Sequence, residues 1–343
     1  MKDETVRDVG EFGLIAALRD ALPKKVVASR KLPIGIGDDA AVWHPPRHES
    51  LLITTDSLVE GIHFRLDWTD WRSLGHKSLA VNVSDIAAMG GVPKLATITL
   101  GLRGTERVAD LQALYRGMGA LAAKHNLLIA GGDIVASPHC LAIHVTLIGT
   151  TRTRGRHLTR AGARPGDLIG VSGTLGASAA GYRLLKEGPR SPRRQAMTAD
   201  LLIDAHLRPT PRVRLGQILL HEGAHAAMDL SDGLLGDLPK ILAASGVAAR
   251  LDAQAVPVAA AVRALFPDDW FDLSTRGGED YELLFTAPPD AFPKIAASAA
   301  EVASTVTAIG EILPRSSGQP VLLLRGLSGV AQEVSPGAFD HFA

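Results

Sequence analysis

An α/β fold in two domains is what this sequence predicts, on three observations. The chain has 343 residues, beyond the roughly 250–300 at which a single hydrophobic core stops growing. Short β-branched apolar runs alternate with segments of helical period, the pattern of layered α/β architectures. Apolar periodicity then vanishes around 150–166, where Arg, Gly and Thr dominate, as at a domain boundary. The expected division is 1–152 and 153–343. With 46% hydrophobic and only 4% aromatic residues, the cores are expected to be packed from Ala, Val and Leu, and disorder is excluded as the main state.

In chain order, residues 11–22 have helical spacing that stops at Pro23. A turn-rich stretch leads to the run Leu51-Leu52-Ile53-Thr54-Thr55, a strand ending at Asp56. Segment 74–90 is a helix of small and apolar residues closed by Gly90-Gly91 and Pro93. Ser78, Asn82 and Asp85 lie four and three apart on it, making one polar stripe, and Asp85 is expected to face a cleft lined by Asp39, Asp56 and Asp133. A strand at 95–102, a helix at about 107–124, a strand at 127–130 ending in Gly-Gly-Asp and a strand at 139–149 complete the first half. The second half reads as strand 167–171, helix 176–187, exposed basic loop 186–196, helix 211–222, strand 226–230, helix 233–245, strand 248–252, helix 258–265 and strand 281–287, then a final helix and strands.

The 36 basic residues balance the 36 acidic ones, so no global field recruits nucleic acid or an anionic membrane. The single cysteine, Cys140, cannot form an internal disulfide and fits a reducing compartment. It reads as a packing thiol within the 139–149 strand rather than a nucleophile. The first residues carry acids and no apolar run of signal-peptide length, and no apolar stretch is long enough to span a bilayer. A cytoplasmic protein is expected.

Acidic residues recur where an apolar segment ends beside glycine or a small polar residue: Gly37-Asp38-Asp39, Thr54-Thr55-Asp56, Ser84-Asp85, Gly131-Gly132-Asp133, Asp229-Leu230-Ser231-Asp232-Gly233 and Gly277-Gly278-Glu279-Asp280. Any one alone is an ordinary turn or helix cap. Together they suggest a shared cleft. Like charges about 4 Å apart repel by about 4 kcal/mol at an effective dielectric of 20, so convergence implies a cation. No His or Cys cluster accompanies the acids, which disfavours zinc, and the EF-hand pattern is absent. Mg²⁺ held by a few carboxylates and completed by substrate phosphates fits best.

The common nucleotide signatures fail. Gly-Lys occurs nowhere, so there is no Walker A loop. Gly35-Ile36-Gly37-Asp38-Asp39-Ala40 matches a dinucleotide fingerprint by letters, but Pro45-Pro46 stops the helix it needs and the paired acids would repel a pyrophosphate. The Gly170–Gly176 turn reads either as an anion-binding helix start or as tight strand-to-helix packing, the simpler of the two.

These acidic stretches, with Gly61-Ile62-His63-Phe64, Lys77-Ser78-Leu79-Ala80-Val81-Asn82-Val83-Ser84-Asp85, Leu158-Thr159-Arg160, Tyr281-Glu282-Leu283 and the terminal Phe339-Asp340-His341-Phe342, resemble the thiamine-monophosphate kinases across essentially the whole chain. That family is similar in fold to the aminoimidazole ribonucleotide synthetases. The resemblance implies a two-domain α/β fold in which the N-terminal sheets of a homodimer pair into a barrel, with a C-terminal α/β domain. It implies ATP as co-substrate, several Mg²⁺ ions and thiamine monophosphate as acceptor. By motif matching, Asp39, Thr54, Thr55, Asp56, Asp85, Asp133, Asp229 and Asp232 correspond to metal ligands. Gly132, Asp133, Arg160 and Ser231 correspond to ATP contacts, and His63, Glu279 and Phe339 to positions holding thiamine monophosphate.

The implied reaction needs no activated side chain, because a phosphate monoester is already largely ionised near neutral pH, its second pKa being about 6. Relatives on the same scaffold that make selenophosphate or mature hydrogenases carry a reactive cysteine that the motifs here lack. A non-catalytic sensor is disfavoured by the complete acidic set.

Overall fold

The computed structural model describes residues 4–36, 40–188, 193–316, 321–326 and 331–333. They fall into two compact units, Met1–Ile86 with Val92–Gly155, and Ala87–Gly91 with Arg156–Ala343. The division thus falls two residues before the end of the helix Trp71–Ala88, with no trace in the periodicity.

The first unit runs α1 (Val6–Ala21), α2 (Lys24–Val27), β1 (Leu51–Val59), α3 (Trp71–Ala88), β2 (Val92–Leu102), α4 (Val108–His125), β3 (Leu128–Ala136) and β4 (Ala142–Thr150). Thr5 starts α1, its backbone N–H and hydroxyl both donating to the Asp8 carboxylate, at 2.8 and 2.7 Å. The strands form one sheet in the order β1-β4-β2-β3, with β2 and β3 parallel across α4. Helix α3 is buried nearly all round, as its uniformly small and apolar composition dictates. A Cβ on Gly75 would meet the Leu114 carbonyl oxygen at 1.9 Å, and one on Gly117 that of Arg72 at 2.0 Å, so these two glycines let α3 and α4 touch backbone to backbone. Ile86 of α3 packs over Gly149 of β4.

That contact fixes the faces of the sheet. Leu52, Thr54, Asp56 and Leu58 alternate toward the α3 side, while Leu51, Ile53, Thr55 and Ser57 are exposed. Asp56 therefore lies inside a nine-residue strand and not at its end, because pairing with β4 continues to Val59. Asp133 likewise lies within β3, which runs on to Ala136 beside β2. Cys140 precedes β4 instead of lying in it.

The second unit runs β5 (Leu168–Ser172), α5 (Ala177–Glu187), α6 (Arg193–Leu207), α7 (Val213–Glu222), β6 (Ala226–Asp229), α8 (Leu234–Ser245), β7 (Ala248–Asp252), α9 (Ala260–Leu265), α10 (Trp270–Thr275), β8 (Leu283–Ala287), α11 (Phe292–Glu301), β9 (Val306–Leu313), β10 (Leu322–Arg325) and β11 (Ala331–Glu333). The expected loop at 186–196 is interrupted: α6 begins at Arg193, with basic residues filling its first turn. The sheet order is β11-β10-β7-β9-β5-β8-β6, and only β10 and β7 are parallel. Ile169, Val171, Met228 and Leu284 face a core with α8, whereas Ala227, Leu283 and Phe285 face one with α7 and α11. Burial on both faces is why these strands read as unbroken apolar runs.

Candidate active site

In the first unit, β1 and α3 bring three predicted residues together. The Thr54 hydroxyl donates to Asp85 at 2.5 Å, and Asp56, two residues along the same face, lies against Asp85 closely enough to share a hydrogen bond with it. Burial, then repulsion from Asp85, pushes the Asp56 carboxyl up to about 7. Two half-buried acids and a hydroxyl thus bring several oxygen atoms together, with the two carboxyls repelling each other. Hard oxygen donors of this kind suit Mg²⁺, which keeps open positions for water and phosphate, better than zinc. Among the described residues no group of three or more His, Cys, Asp or Glu is placed to hold a metal ion, so the pair and Thr54 do not complete a site by themselves.

Other predicted residues sit differently. Thr55 points to the opposite face, where its hydroxyl donates to the Val145 carbonyl at 3.1 Å. Asp133 is on that face too: register places Asp56 in a row with Val145, Ile98 and Gly132, and Asp133 in the next row with Thr99, His144 and Ser57. Three strand spacings, about 14 Å, also separate β1 from β3. Ser78 and Asn82 do not line a cleft. Both are buried, with the Ser78 hydroxyl donating to the Gly75 carbonyl at 3.0 Å and the Asn82 amide to that of Ser78 at 3.3 Å. His63 accepts the Val59 N–H on Nδ1 at 3.1 Å, which places the proton of the neutral ring on Nε2. Asp39 lies outside the described residues, as does Phe339.

Gly131, Asp133, Phe12, Ile15, Tyr115 and Ile129 line a cavity of about 640 Å³. A Cβ on Gly131 would meet nothing within 4 Å, whereas one on Gly132 would strike the Ile98 carbonyl oxygen at 1.8 Å. Gly131 thus leaves the cavity open, and Gly132 is required by the neighbouring strand. Tyr115, its phenol pushed up by burial, is a lining residue that the motif search missed because it sits inside an ordinary amphipathic helix.

In the second unit two acidic loops are zipped together. The N–H of Glu279 donates to the Ser231 carbonyl at 2.8 Å and that of Tyr281 to Leu230 at 2.9 Å. Gly278 permits this, since a Cβ there would lie 2.4 Å from the Ser231 oxygen. Each acid here has a partner. Asp232 is paired with Lys240 at 2.6 Å, and Lys240 reaches the fully buried Asp237 at 2.7 Å. Asp237 accepts the N–H groups of Ser231 and Asp232, both at 2.9 Å, shaping the turn that follows Asp229. Glu282 takes a two-pronged bond from Arg212 and another from the Ser172 hydroxyl. The Asp280 carboxylate accepts the N–H of Gly176 at 2.7 Å and of Ser178 at 3.1 Å, capping α5. The glycine-rich turn is therefore closed by the chain's own acid, in line with packing. Glu279, at the left-handed φ of 65°, approaches Nδ1 of buried His206 at 3.4 Å. Arg160 is exposed on a segment whose carbonyl accepts the Ser245 hydroxyl. Asp237, Lys240, Arg212 and His206 escaped the sequence reading. Asp237 in the first turn after Gly233, with Lys240 three residues on, was the available signal for two of them.

The chain matches the model of the AIR synthase related protein N-terminal domain over residues 37–151 and that of the C-terminal domain over residues 164–322. It is 32% identical to a thiamine-monophosphate kinase of Bacillus subtilis over 97% of this chain and 99% of that one. It is similar to the crystal structure of thiamine-monophosphate kinase from Stenotrophomonas maltophilia K279a, with a TM-score of 0.82 and 38% identity over 92% of this chain and 97% of that one. A structure of AaThiL complexed with AMPPCP and TMP aligns with a TM-score of 0.75 and 32% identity, covering 98% of both chains.

Proposed function

Since the chain belongs to the thiamine-monophosphate kinase family, we propose that it transfers the γ-phosphoryl group of ATP to thiamine monophosphate, giving thiamine diphosphate and ADP. The observation that carries the reading is the Asp56–Asp85 pair with Thr54, an approach of two carboxyls and a hydroxyl whose hard oxygens suit Mg²⁺. The relative complexed with AMPPCP and TMP supports the two substrates.

The acceptor phosphate is ionised at neutral pH, so its oxygen attacks the γ-phosphorus directly. The bond from that phosphorus to the β–γ bridging oxygen breaks, and ADP leaves with the electron pair. No side-chain nucleophile or general base is assigned. When bound, Mg²⁺ supplies positive charge that offsets repulsion between the two polyanions. Asp56, Asp85 and Thr54 would hold one ion; of the further proposed ligands, Asp39 lies outside the described residues, Thr55 and Asp133 face the other side of the sheet, and Asp229 and Asp232 lie in the second unit, so those four would serve other ions.

The cavity beside Gly131 is proposed for the nucleotide. Its size lies in the range of small-molecule sites, its aromatic and aliphatic lining suits a purine, and Gly131 leaves room where a side chain would intrude. Gly132, Asp133, Arg160 and Ser231 are assigned to ATP, and His63, Glu279 and Phe339 to thiamine monophosphate. The N-terminal unit is assigned to dimerisation. An edge strand with Leu51 47% and Ile53 69% exposed supports a homodimer whose sheets join as a barrel. Among the described residues no helix is long and apolar enough to cross a membrane.

The test is incubation with ATP, Mg²⁺ and thiamine monophosphate, followed by chromatography. Thiamine diphosphate and ADP should appear in equal amounts, and ADP release without thiamine diphosphate would reject the acceptor.

A further inference from the structure

A second cavity of the first unit, about 260 Å³, opens at the C-terminal end of α4, bordered by α2 and the starts of β2 and β3. Lys25, Lys31 and Lys94 line it, no Asp or Glu does, and Trp43 forms one wall. Lys25 is engaged, donating to the Ala123 carbonyl at 3.2 Å, the usual role of a lysine at a helix C-terminus. Lys31 and Lys94 make no ion pair among the described residues.

Lys94 is the notable member. It is the extra residue where pairing between β2 and β4 slips between Pro93 and Leu95, and a bulge of this kind re-aims a side chain. It is only partly exposed. Burial lowers its pKa, Glu49 opposes that, and the positive Lys31 and Arg152 reinforce it. Cations gathered in a concave site at this cost are stabilised by an anion that neutralises them.

We propose that this cavity is an accessory binding site for a phosphate-class oxyanion, held by Lys31 and Lys94 against the Trp43 ring. Ammonium groups act as point charges and suit a compact tetrahedral anion, where a planar carboxylate would favour the arginine fork. The volume corresponds to roughly eight waters at about 30 Å³ each, room for a phosphate or diphosphate group and too little for a nucleotide. Leu128, on the cavity wall, is also the first residue of β3, so an occupant braces the strand that carries Gly131 and Asp133.

Trp43 provides the readout. Inorganic phosphate, diphosphate and thiamine diphosphate are titrated into the full-length protein at constant ionic strength without Mg²⁺, following tryptophan fluorescence. At least one should give a saturable change that is absent in Trp43→Phe. Affinity should fall at least tenfold in a Lys31→Gln/Lys94→Gln variant, or in Lys31→Gln alone if the double variant melts early. Saturation by inorganic phosphate identifies free phosphate as sufficient, and saturation by thiamine diphosphate alone identifies an esterified phosphate. Kinase turnover should persist in the lysine variants, since neither residue belongs to the proposed machinery. A change that persists in Trp43→Phe, grows without saturating, or is indifferent to both lysines would overturn the proposal, and that result would leave the kinase assignment standing.

Discussion

The acids of the glycine-flanked and strand-borne motifs meet different neighbours in the two units. In the second unit Asp232 and Asp237 share Lys240, Glu282 has Arg212, and Asp280 caps a helix. In the first, Asp85 accepts the Thr54 hydroxyl and lies against Asp56, whose carboxyl rises to about 7. The same residue type in the same glycine-flanked motifs meets a cation or N–H donors in one unit and a second acid in the other. The groups an acid meets, more than acid content, separate the two environments.

The contrast breaks first at Arg212. Replacing it by Met leaves Glu282, whose side chain is 7% exposed, as a buried charge without its cation. Removing one partner of such a pair costs about 3–5 kcal/mol. Thermal or denaturant melting should show that loss, and an unchanged midpoint would mean that Glu282 is sustained by Ser172 alone.

Asp85→Asn should do the reverse. It removes the repulsion that raises Asp56, so the metal-free protein should melt no earlier than wild type. Turnover should nevertheless fall about 10²–10³-fold, the usual cost of one lost electrostatic contact at a reacting phosphate or oxyanion. Near-normal kcat at saturating Mg²⁺ would remove Asp85 from the metal site. A third, smaller effect follows on the same preparations. Mg²⁺ at about a hundred times its Kd should stabilise the wild type by about 2.7 kcal/mol, with little effect on Asp85→Asn. Equal shifts in both would place the ion elsewhere.

Much of this was legible in sequence because strand and helix periods survive in small apolar residues. The close backbone contacts were not: nothing in the sequence marks Gly278 for the meeting of the two acidic loops, or Gly75 and Gly117 for the crossing of α3 and α4. What could not be read was which face an acid takes. Asp56 and Asp133 look alike in sequence, each following an apolar run. Sheet register, including the shift between Ala96 and Thr97, sets them on opposite faces. The partners of the structural acids were equally hidden, since Arg212 lies 70 residues from Glu282. The helix at 193–207 was obscured by its basic first turn, which reads as solvated loop until Leu201, Leu202 and Ile203 appear.

Asp280 gives the finest test of the comparison, because it is a second-unit acid that is capped by N–H donors and yet has no cation. Burial raises its pKa to about 7, and the N–H bonds from Gly176 and Ser178 restrain the rise. In the unfolded chain the group titrates near its ordinary value of 3.8. Between those values the native state holds a proton that the unfolded state has released, so stability is greatest at low pH and falls as pH rises toward about 7. The slope from one such group cannot exceed about 1.4 kcal/mol per pH unit. Asp280→Asn carries no charge at any pH and keeps one oxygen to accept from Gly176 or Ser178, at a cost of about 0.5–1.5 kcal/mol for the other bond. In Mg²⁺-free buffer the wild type should therefore lose stability more steeply than the variant from pH 4 to 7, and run parallel to it above that range. Asp56 titrates in the same window but is common to both proteins, so the difference between the curves isolates Asp280. Parallel curves across the whole range would mean that its two N–H bonds compensate the charge fully, which would place it with Asp237 and Glu282 among the acids the fold has neutralised.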